Sequence, residues 1–325
     1  MAVSRVAASI VGIIALLSLL LFIHVSATTA WLRVALDASH GPIFAGVAIL
    51  LSLLLKPKMG TPGAAVWPDW VRYSKVLGLC IALGALIEFL QGFDGRPPSF
   101  FDVLTDTAGA MAGLAGWALA TRPRKLPSRV IAKNGPWAVI ALGLAGMTFV
   151  LWRPLHAAVA YAHRAAILPT LAEFTGPLDL YFATTDGSAA AISDLPAPWS
   201  RQSGERALAL QYDPEHAPAV QLVEPSGDWR GYGVIAVDIT NAGPSEVSLV
   251  FRILDAHHDW SHADRLNLPL VIPPRTRTTV RVALDAVASA PASRRMDMAR
   301  IANVMLFGRK PAAPGTLYVS RIWLE

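Results

Sequence analysis

Between Ala85 and Gly113 the chain reads ALIEFLQGFDGRPPSFFDVLTDTAGAMAG, two apolar segments of membrane length meeting across a short Gly/Pro turn with acids in the middle. A helix in hydrocarbon satisfies its own backbone but cannot solvate an unpaired charge. Glu88, Asp94, Asp102 and Asp106 therefore limit the fold more than any other feature. Either they lie at headgroup depth and mark helix ends, or they face a bundle interior, where an ionisable group marks a functional site. Four acids in so short a span exceed what helix ending needs.

The surroundings of this stretch point to a membrane protein. Of the 325 residues, 54% are hydrophobic and 16% charged, too apolar for an ordinary soluble chain. Long Ala/Leu/Ile/Val runs dominate up to about Trp152. Arg5 precedes an apolar run from Val6 to about Val25. Its start is like a secretory signal peptide, with Val25-Ser26-Ala27 as a cleavage site. Its length suits a full span and further spans follow, so an uncleaved anchor is expected. Further spans are expected from about Gly41 to Leu55 (reaching back to Asp37, with Pro42 in the first turn), Val76 to Phe93, Phe101 to Ala120, and Pro136 to Trp152.

Charge fixes an expected orientation. Lys56, Lys58, Arg72 and Lys75 mark one basic loop, and Arg122, Arg124, Lys125, Arg129 and Lys133 another, whereas the intervening connections hold only Arg33 and Arg96. The positive-inside rule then places the N-terminus in the cytoplasm and everything after Trp152 in the periplasm or cell exterior. The same rule accounts for the net charge of +5, so no nucleic-acid partner is expected. The expected location is the bacterial inner (cytoplasmic) membrane, multi-pass, with the lipid bilayer as partner. The single cysteine, Cys80, lies in an apolar run and excludes a disulfide framework or a paired-thiolate metal site.

Beyond Trp152 the texture changes. Leu155 to Phe174 reads as a helix or linker leaving the bilayer. Eight β-rich runs follow, at 207–212, 219–224, 232–239, 247–254, 266–272, 278–284, 301–307 and 316–324, separated by Pro, Gly, Asn and Asp. Alternation such as Leu249-Phe251-Ile253 suits strands with one buried face. The expected fold class is an all-α membrane bundle of about five transmembrane helices followed by an all-β sandwich. The domains would be 1–154, a linker or helix over 155–168, and 169–325.

Helical spacing gathers the polar groups of the first domain. Asp37 and His40 share a face, as do Gly84, Glu88 and Gln91, and as do Asp102, Thr105, Asp106, Gly109 and Gly113. The candidate catalytic residues are Asp37, His40, Glu88, Gln91, Arg96, Asp102 and Asp106. They make either a ligand or proton-handling site, or internal glue that fixes helix packing. In the second domain the loop Asp255 to Arg265, with three histidines and the three acids Asp255, Asp259 and Asp264, and with Asn267 beyond, invites a metal reading, but it has no ordered ligand spacing and no metal is expected. Trp260 among polar neighbours also suits a sugar, with the ring stacking and polar groups taking hydroxyls. His258, Asp259, Trp260, Asp264, Arg265 and Asn267 are the candidate ligand-binding residues. The alternative is a solvated strand connection with structural Trp and Arg packing. No Walker loop, G-x-S-x-G, H-E-x-x-H or dinucleotide fingerprint is present.

The ordered set Asp37-x-x-His40-x-x-x-Phe44, Glu88-x-x-Gln91, Gly95-Arg96, and Asp102 with Gly109 and Gly113 resembles the VanZ-like membrane proteins over about residues 16–120. Two positions depart: Ala38 stands where the family usually has Lys, and Asp106 where it often has Asn, so the cluster is more acidic. The resemblance implies a cell-envelope role linked to glycopeptide (teicoplanin) tolerance, with no agreed reaction. From Ala207 to Glu325 the chain resembles galactose-binding-like, carbohydrate-binding jelly rolls, through Asp228-Trp229-Arg230-Gly231-Tyr232, Asp264-Arg265-x-Asn267 and the closing Leu317–Leu324. Many proteins of that group carry a structural calcium, whose ligands the residues here do not place, and no cofactor is expected. The expectation is a bacterial envelope protein, leaning non-enzymatic, with an envelope glycan or lipid-linked saccharide as partner. The alternative is an integral-membrane enzyme acting on a lipid-linked saccharide, with Glu88 or Asp102 as acid or base and His40 assisting.

Overall fold

A computed structural model describes residues 2–22, 29–55, 69–93, 95–121, 135–185, 189–309, 311 and 313–325. The expected cleavage site at Val25-Ser26-Ala27, Asp94, and the basic residues at 56, 58 and 122–133 lie outside the described residues. The chain forms two compact units, Met1–Ala158 and Val159–Glu325. Their boundary falls inside the 155–168 stretch.

The first unit is helical: α1 Ala2–Phe22, α2 Ala30–Leu54, α3 Asp69–Phe93, α4 Phe100–Ala120 and the greater part of α5 Gly135–Ile167, whose residues from Val159 on belong to the second unit. Three of these contain stretches long and apolar enough to cross a membrane: Ala30–Leu54, Val71–Phe93 and Ile140–Ile167. Five spans were expected. In α1 the described apolar stretch, Val6–Phe22, is shorter. In α4 the polar Asp102, Thr105, Asp106 and Thr107, with Gly109, Gly113 and Gly116, dilute the apolar character. Thr29 and Ser99 start α2 and α4 as N-caps, their hydroxyls accepting from the amides of Leu32 (3.1 Å) and Asp102 (3.2 Å). Because α2 begins at Ala30, Pro42 lies within the helix and not in its first turn. Helix α5 runs unbroken through Pro154 and through the stretch expected as a linker or helix.

Small residues bring α2 against α4. A Cβ at Gly109 would collide with the Gly41 carbonyl, and one at Gly113 would sit 2.5 Å from the Ala45 carbonyl oxygen. Phe44, Val47, Ala48, Val76, Cys80, Ile87, Ala110 and Leu114 form the buried cluster beside this contact.

The second unit is an antiparallel sandwich of two sheets. One has the order β3 (Ala190–Asp194), β4 (Arg206–Tyr212), β11 (Gly315–Leu324), β6 (Val234–Asn241), β9 (Thr276–Ala283), with β1 (Thr170–Ala172) also on β11. The other has the order β2 (Ala183–Thr184), β5 (Ala219–Val223), β10 (Ile301–Gly308), β7 (Val247–Asp255), β8 (Leu266–Ile272). A short helix, α6, covers Leu284–Ala288. The eight expected runs correspond to β4–β11. The short β1, β2 and β3 were not anticipated, because two to five residues carry too little alternation to register. Val247, Leu249, Phe251 and Ile253 alternate into a core shared with Leu208, Leu210, Trp229, Ile235 and Ile239. Burying such side chains contributes about 1.5–3 kcal/mol each, before the cost of ordering them.

Candidate functional site

In the helical unit, the polar residues first solve a backbone problem. The last carbonyls of a helix have no amide partner within it. Near the end of α1, Gln91 Nε2 donates to Leu20 O (3.1 Å), and the Arg96 guanidinium donates to Leu20 O (3.3 Å) and Leu21 O (2.6 Å). Glu88 Oε2 accepts from the Ser99 amide at 2.7 Å and so holds the start of α4. His40 Nδ1 and Asp106 Oδ1 lie 3.1 Å apart, joining α2 to α4 beside the Gly41–Gly109 approach. Gly84 makes room for this pair, since a Cβ there would lie 2.7 Å from Asp106 Oδ2. Asp106 is fully buried, and its Oδ2, like Glu88 Oε1, has no hydrogen-bond partner among the described residues.

Beside these fastenings lies a cavity of about 460 Å³. Leu19, Leu20, Leu36 and Ile43 give it an apolar wall, and Asp37, Ser39, His40, Gln91, Arg96 and Asp102 a polar one. Five of the seven residues singled out in the sequence thus meet around one space, with Glu88 and Asp106 outside its lining. Arg153 of α5 is not among those seven. It donates to Asp37 Oδ2 (3.1 Å) and stacks over Phe101 at 4.8 Å. An arginine within an apolar helix is the signal that could have found it. With Nδ1 against Asp106, His40 keeps Nε2 without a partner among the described residues. A carboxylate-oriented imidazole on a cavity wall can accept or give a proton.

In the sandwich, the loop after β7 is clamped from below. Arg294 donates to Asp255 through Nη1 (2.6 Å) and Nη2 (2.7 Å), and to Asp264 through Nε (2.6 Å) and Nη2 (3.0 Å). Asp255 also accepts from the amides of Asp297 (2.6 Å) and His257 (3.2 Å), and Asp264 from that of Asp259 (2.9 Å). Burial works to raise the Asp255 carboxyl, but the Arg294 hydrogen bonds and the backbone amides hold it below the usual carboxylate range. The hydrogen bonds from Arg294 likewise hold Asp264 down. These oxygens are spent, and among the described residues no group of three or more His, Cys, Asp or Glu converges on a metal position. The carboxylates of this loop therefore do not fit a structural calcium.

Above this clamp Trp260 is 77% exposed with φ +68°, its ring edge-to-face with His258 at 4.4 Å between centroids. Asp259 Oδ1 accepts from the Ser261 amide (2.7 Å). Asp264 is turned inward, and Arg265 Nε is buried with no partner among the described residues. Asn267 accepts from Arg252 Nε at 2.7 Å and donates to His262 O at 3.2 Å. The six loop candidates therefore separate into an exposed tip, a buried anchor and a sheet-facing amide. Arg294 was missed, and its distance of some thirty residues along the chain leaves no spacing signal.

Asn267 also ends a row that crosses the second sheet. Strand register places Thr184, Gln221, Met305, Arg252 and Asn267 side by side. Arg252 stacks over Phe307 at 4.5 Å, and Gln221 Nε2 donates to Asn303 Oδ1 at 2.5 Å. A cavity of about 400 Å³ opens on this face, lined in part by Thr184, Gln221, Arg252, Met305 and Phe307. The sequence reading missed it, although the outward positions of each strand carried the signal.

Neither a family model nor a curated protein sequence matches the chain. Solved structures do. An exo-β-agarase is similar at 14% identity and a TM-score of 0.37, over 48% of this chain and 24% of that one. The family 11 carbohydrate-binding module from Clostridium thermocellum, in complex with a β-1,3-1,4-mixed-linked tetrasaccharide, is similar at 15% identity and a TM-score of 0.35, over 48% and 93%. CBM28, a carbohydrate-binding module specific for non-crystalline cellulose, is similar at 11% identity and a TM-score of 0.35, over 49% and 93%. The chain thus spans about a quarter of the agarase's length.

Proposed function

We propose that this chain is a bacterial cell-envelope membrane protein of the VanZ-like type, whose sandwich domain holds an envelope glycan on the extracytoplasmic side while its helical cavity takes an amphiphilic partner. The observation that carries the glycan reading is Trp260. A bulky residue in left-handed backbone costs on the order of 1–3 kcal/mol, and an indole left 77% exposed recovers no burial. Both costs fall on one side chain, which the Arg294 clamp holds at a loop tip. An aromatic face beside amides and a guanidinium suits a sugar ring and its hydroxyls. The loop tip and the Gln221–Arg252–Asn267 row would form one surface through Asn267. Orientation rests on the Lys/Arg asymmetry between loops, and glycopeptide tolerance on the ordered helical motifs.

The unit Val159–Glu325, which has its own core, tests this on an array of bacterial envelope glycans. Specific retention is expected, with Trp260→Ala weakening it about tenfold or more and leaving the thermal midpoint in place. A folded domain that retains no glycan, or a Trp260→Ala variant that retains it fully, refutes the reading.

A second reading is favoured by the His40–Asp106 pair: an integral-membrane enzyme on a lipid-linked saccharide, with His40 moving the proton and Asp106 orienting it. It predicts that His40→Gln abolishes function in cells while abundance holds. Loss of abundance alone would make the cluster packing glue.

A further inference from the structure

The hydrogen bonds around the helical cavity leave a surplus of acceptors. Arg96 and the Gln91 Nε2 group are committed to the α1 carbonyls, and Arg153 to one oxygen of Asp37. Four acceptors on the cavity-lining residues have no donor among the described residues: the Asp102 carboxylate, Asp37 Oδ1, Gln91 Oε1 and His40 Nε2, the last when Nδ1 carries the proton toward Asp106. None of these four atoms is a buried orphan, so each keeps surface on which an occupant could donate to it. Two carboxylates, an amide oxygen and an imidazole nitrogen on one cavity wall can accept from an occupant's N–H groups and balance its positive charge.

We propose that the cavity binds the primary ammonium group of an amphiphile, with the ammonium on Asp37, Asp102 and Gln91 and the alkyl portion on Leu19, Leu20, Leu36 and Ile43. This rests on reading the cavity as a ligand site. A primary ammonium offers three donors, one positive charge and no acceptor, which suits these four acceptors. A quaternary ammonium brings charge without donors. A diphosphate-linked saccharide brings more acceptors to a wall already rich in them. The volume of about 460 Å³ suits a headgroup and the first part of a chain.

The test uses the full-length protein in neutral detergent, with retained lipid read by native mass spectrometry. The probes are phosphatidylethanolamine, its N-methyl and N,N-dimethyl forms, phosphatidylcholine and phosphatidylglycerol, with ethanolamine as a soluble competitor. Retention is expected to fall along the methylation series, by about tenfold or more from first to last, because each methyl removes a charge-assisted hydrogen bond. Asp102→Asn should erase the preference, with Asp37→Asn as a second variant should the first fail to fold. Equal retention of all headgroups, or preference for phosphatidylglycerol, overturns the ammonium assignment while leaving the cavity an amphiphile site. No retained lipid overturns both. Displacement by ethanolamine at equal concentration upholds the ammonium site and overturns its amphiphilic occupant.

Discussion

Replacing Arg294 by Met tests how the sandwich domain holds its exposed loop. Arg294 forms two forks, at 2.6 and 2.7 Å on Asp255 and 2.6 and 3.0 Å on Asp264. Asp255 is fully buried, so the variant strands a carboxylate away from water. Removing one partner of a buried pair costs about 3–5 kcal/mol. The low end, about 3, applies because the Asp297 and His257 amides still serve Asp255. For a domain of this size that is a fall of about 6–12 °C in thermal midpoint at pH 7. Acid should narrow the gap, and the sign follows from Asp255. Its folded pKa is depressed in the wild type, so its contribution is full above the ordinary carboxylate range and is lost as pH falls through the folded value. In the variant the same carboxyl, still buried but without its guanidinium, protonates more readily. Midpoints of both proteins at pH 7 and pH 3, by circular dichroism on Val159–Glu325, decide the matter. A pH 7 difference within 2 °C (about 0.5–1 kcal/mol), or a gap that does not shrink in acid, refutes the clamp as the source of the stability.

Two further outcomes are expected. Gly113→Ala places a methyl 2.5 Å from the Ala45 carbonyl oxygen and should destabilise the detergent-solubilised protein by about 1–3 kcal/mol, whereas Gly116→Ala, with open space around it, should be neutral or stabilising. Thermal aggregation should therefore begin at a lower temperature for Gly113→Ala and at the wild-type temperature or above for Gly116→Ala, and equal shifts would sink the close-packing account of α2 and α4. Calcium should leave the midpoint of the sandwich domain unchanged relative to chelator, because the Asp255 and Asp264 oxygens are taken by Arg294 and backbone amides. A calcium-dependent rise would show that the clamp opens to an ion.

How much of this was legible follows from the range over which each signal acts. The Leu249-Phe251-Ile253 alternation and the apolar runs are local, so sandwich strands and helices stand in the sequence. Helical spacing put Asp37 with His40 and Glu88 with Gln91, and the cavity gathers most of that set. What spacing cannot carry is a partner from another element. Arg153 on Asp37, Ser99 on Glu88 and Arg294 on Asp255 are all tertiary choices. Asp264 illustrates the consequence: beside Trp260 it reads as a sugar-facing acid, yet its side chain turns inward to the clamp.

The opposition between glue and ligand site also dissolves once individual atoms are followed. Gln91 spends its amide nitrogen on the end of α1 and keeps its oxygen; His40 spends Nδ1 on Asp106 and keeps Nε2. A donor used for packing is unavailable for binding, but the acceptor on the same side chain is then fixed in place by that very contact. Side chains locked by their own structural bonds lose little entropy when a ligand arrives, which is the condition for a preorganised site. The helix fastenings therefore hold the leftover acceptors in place.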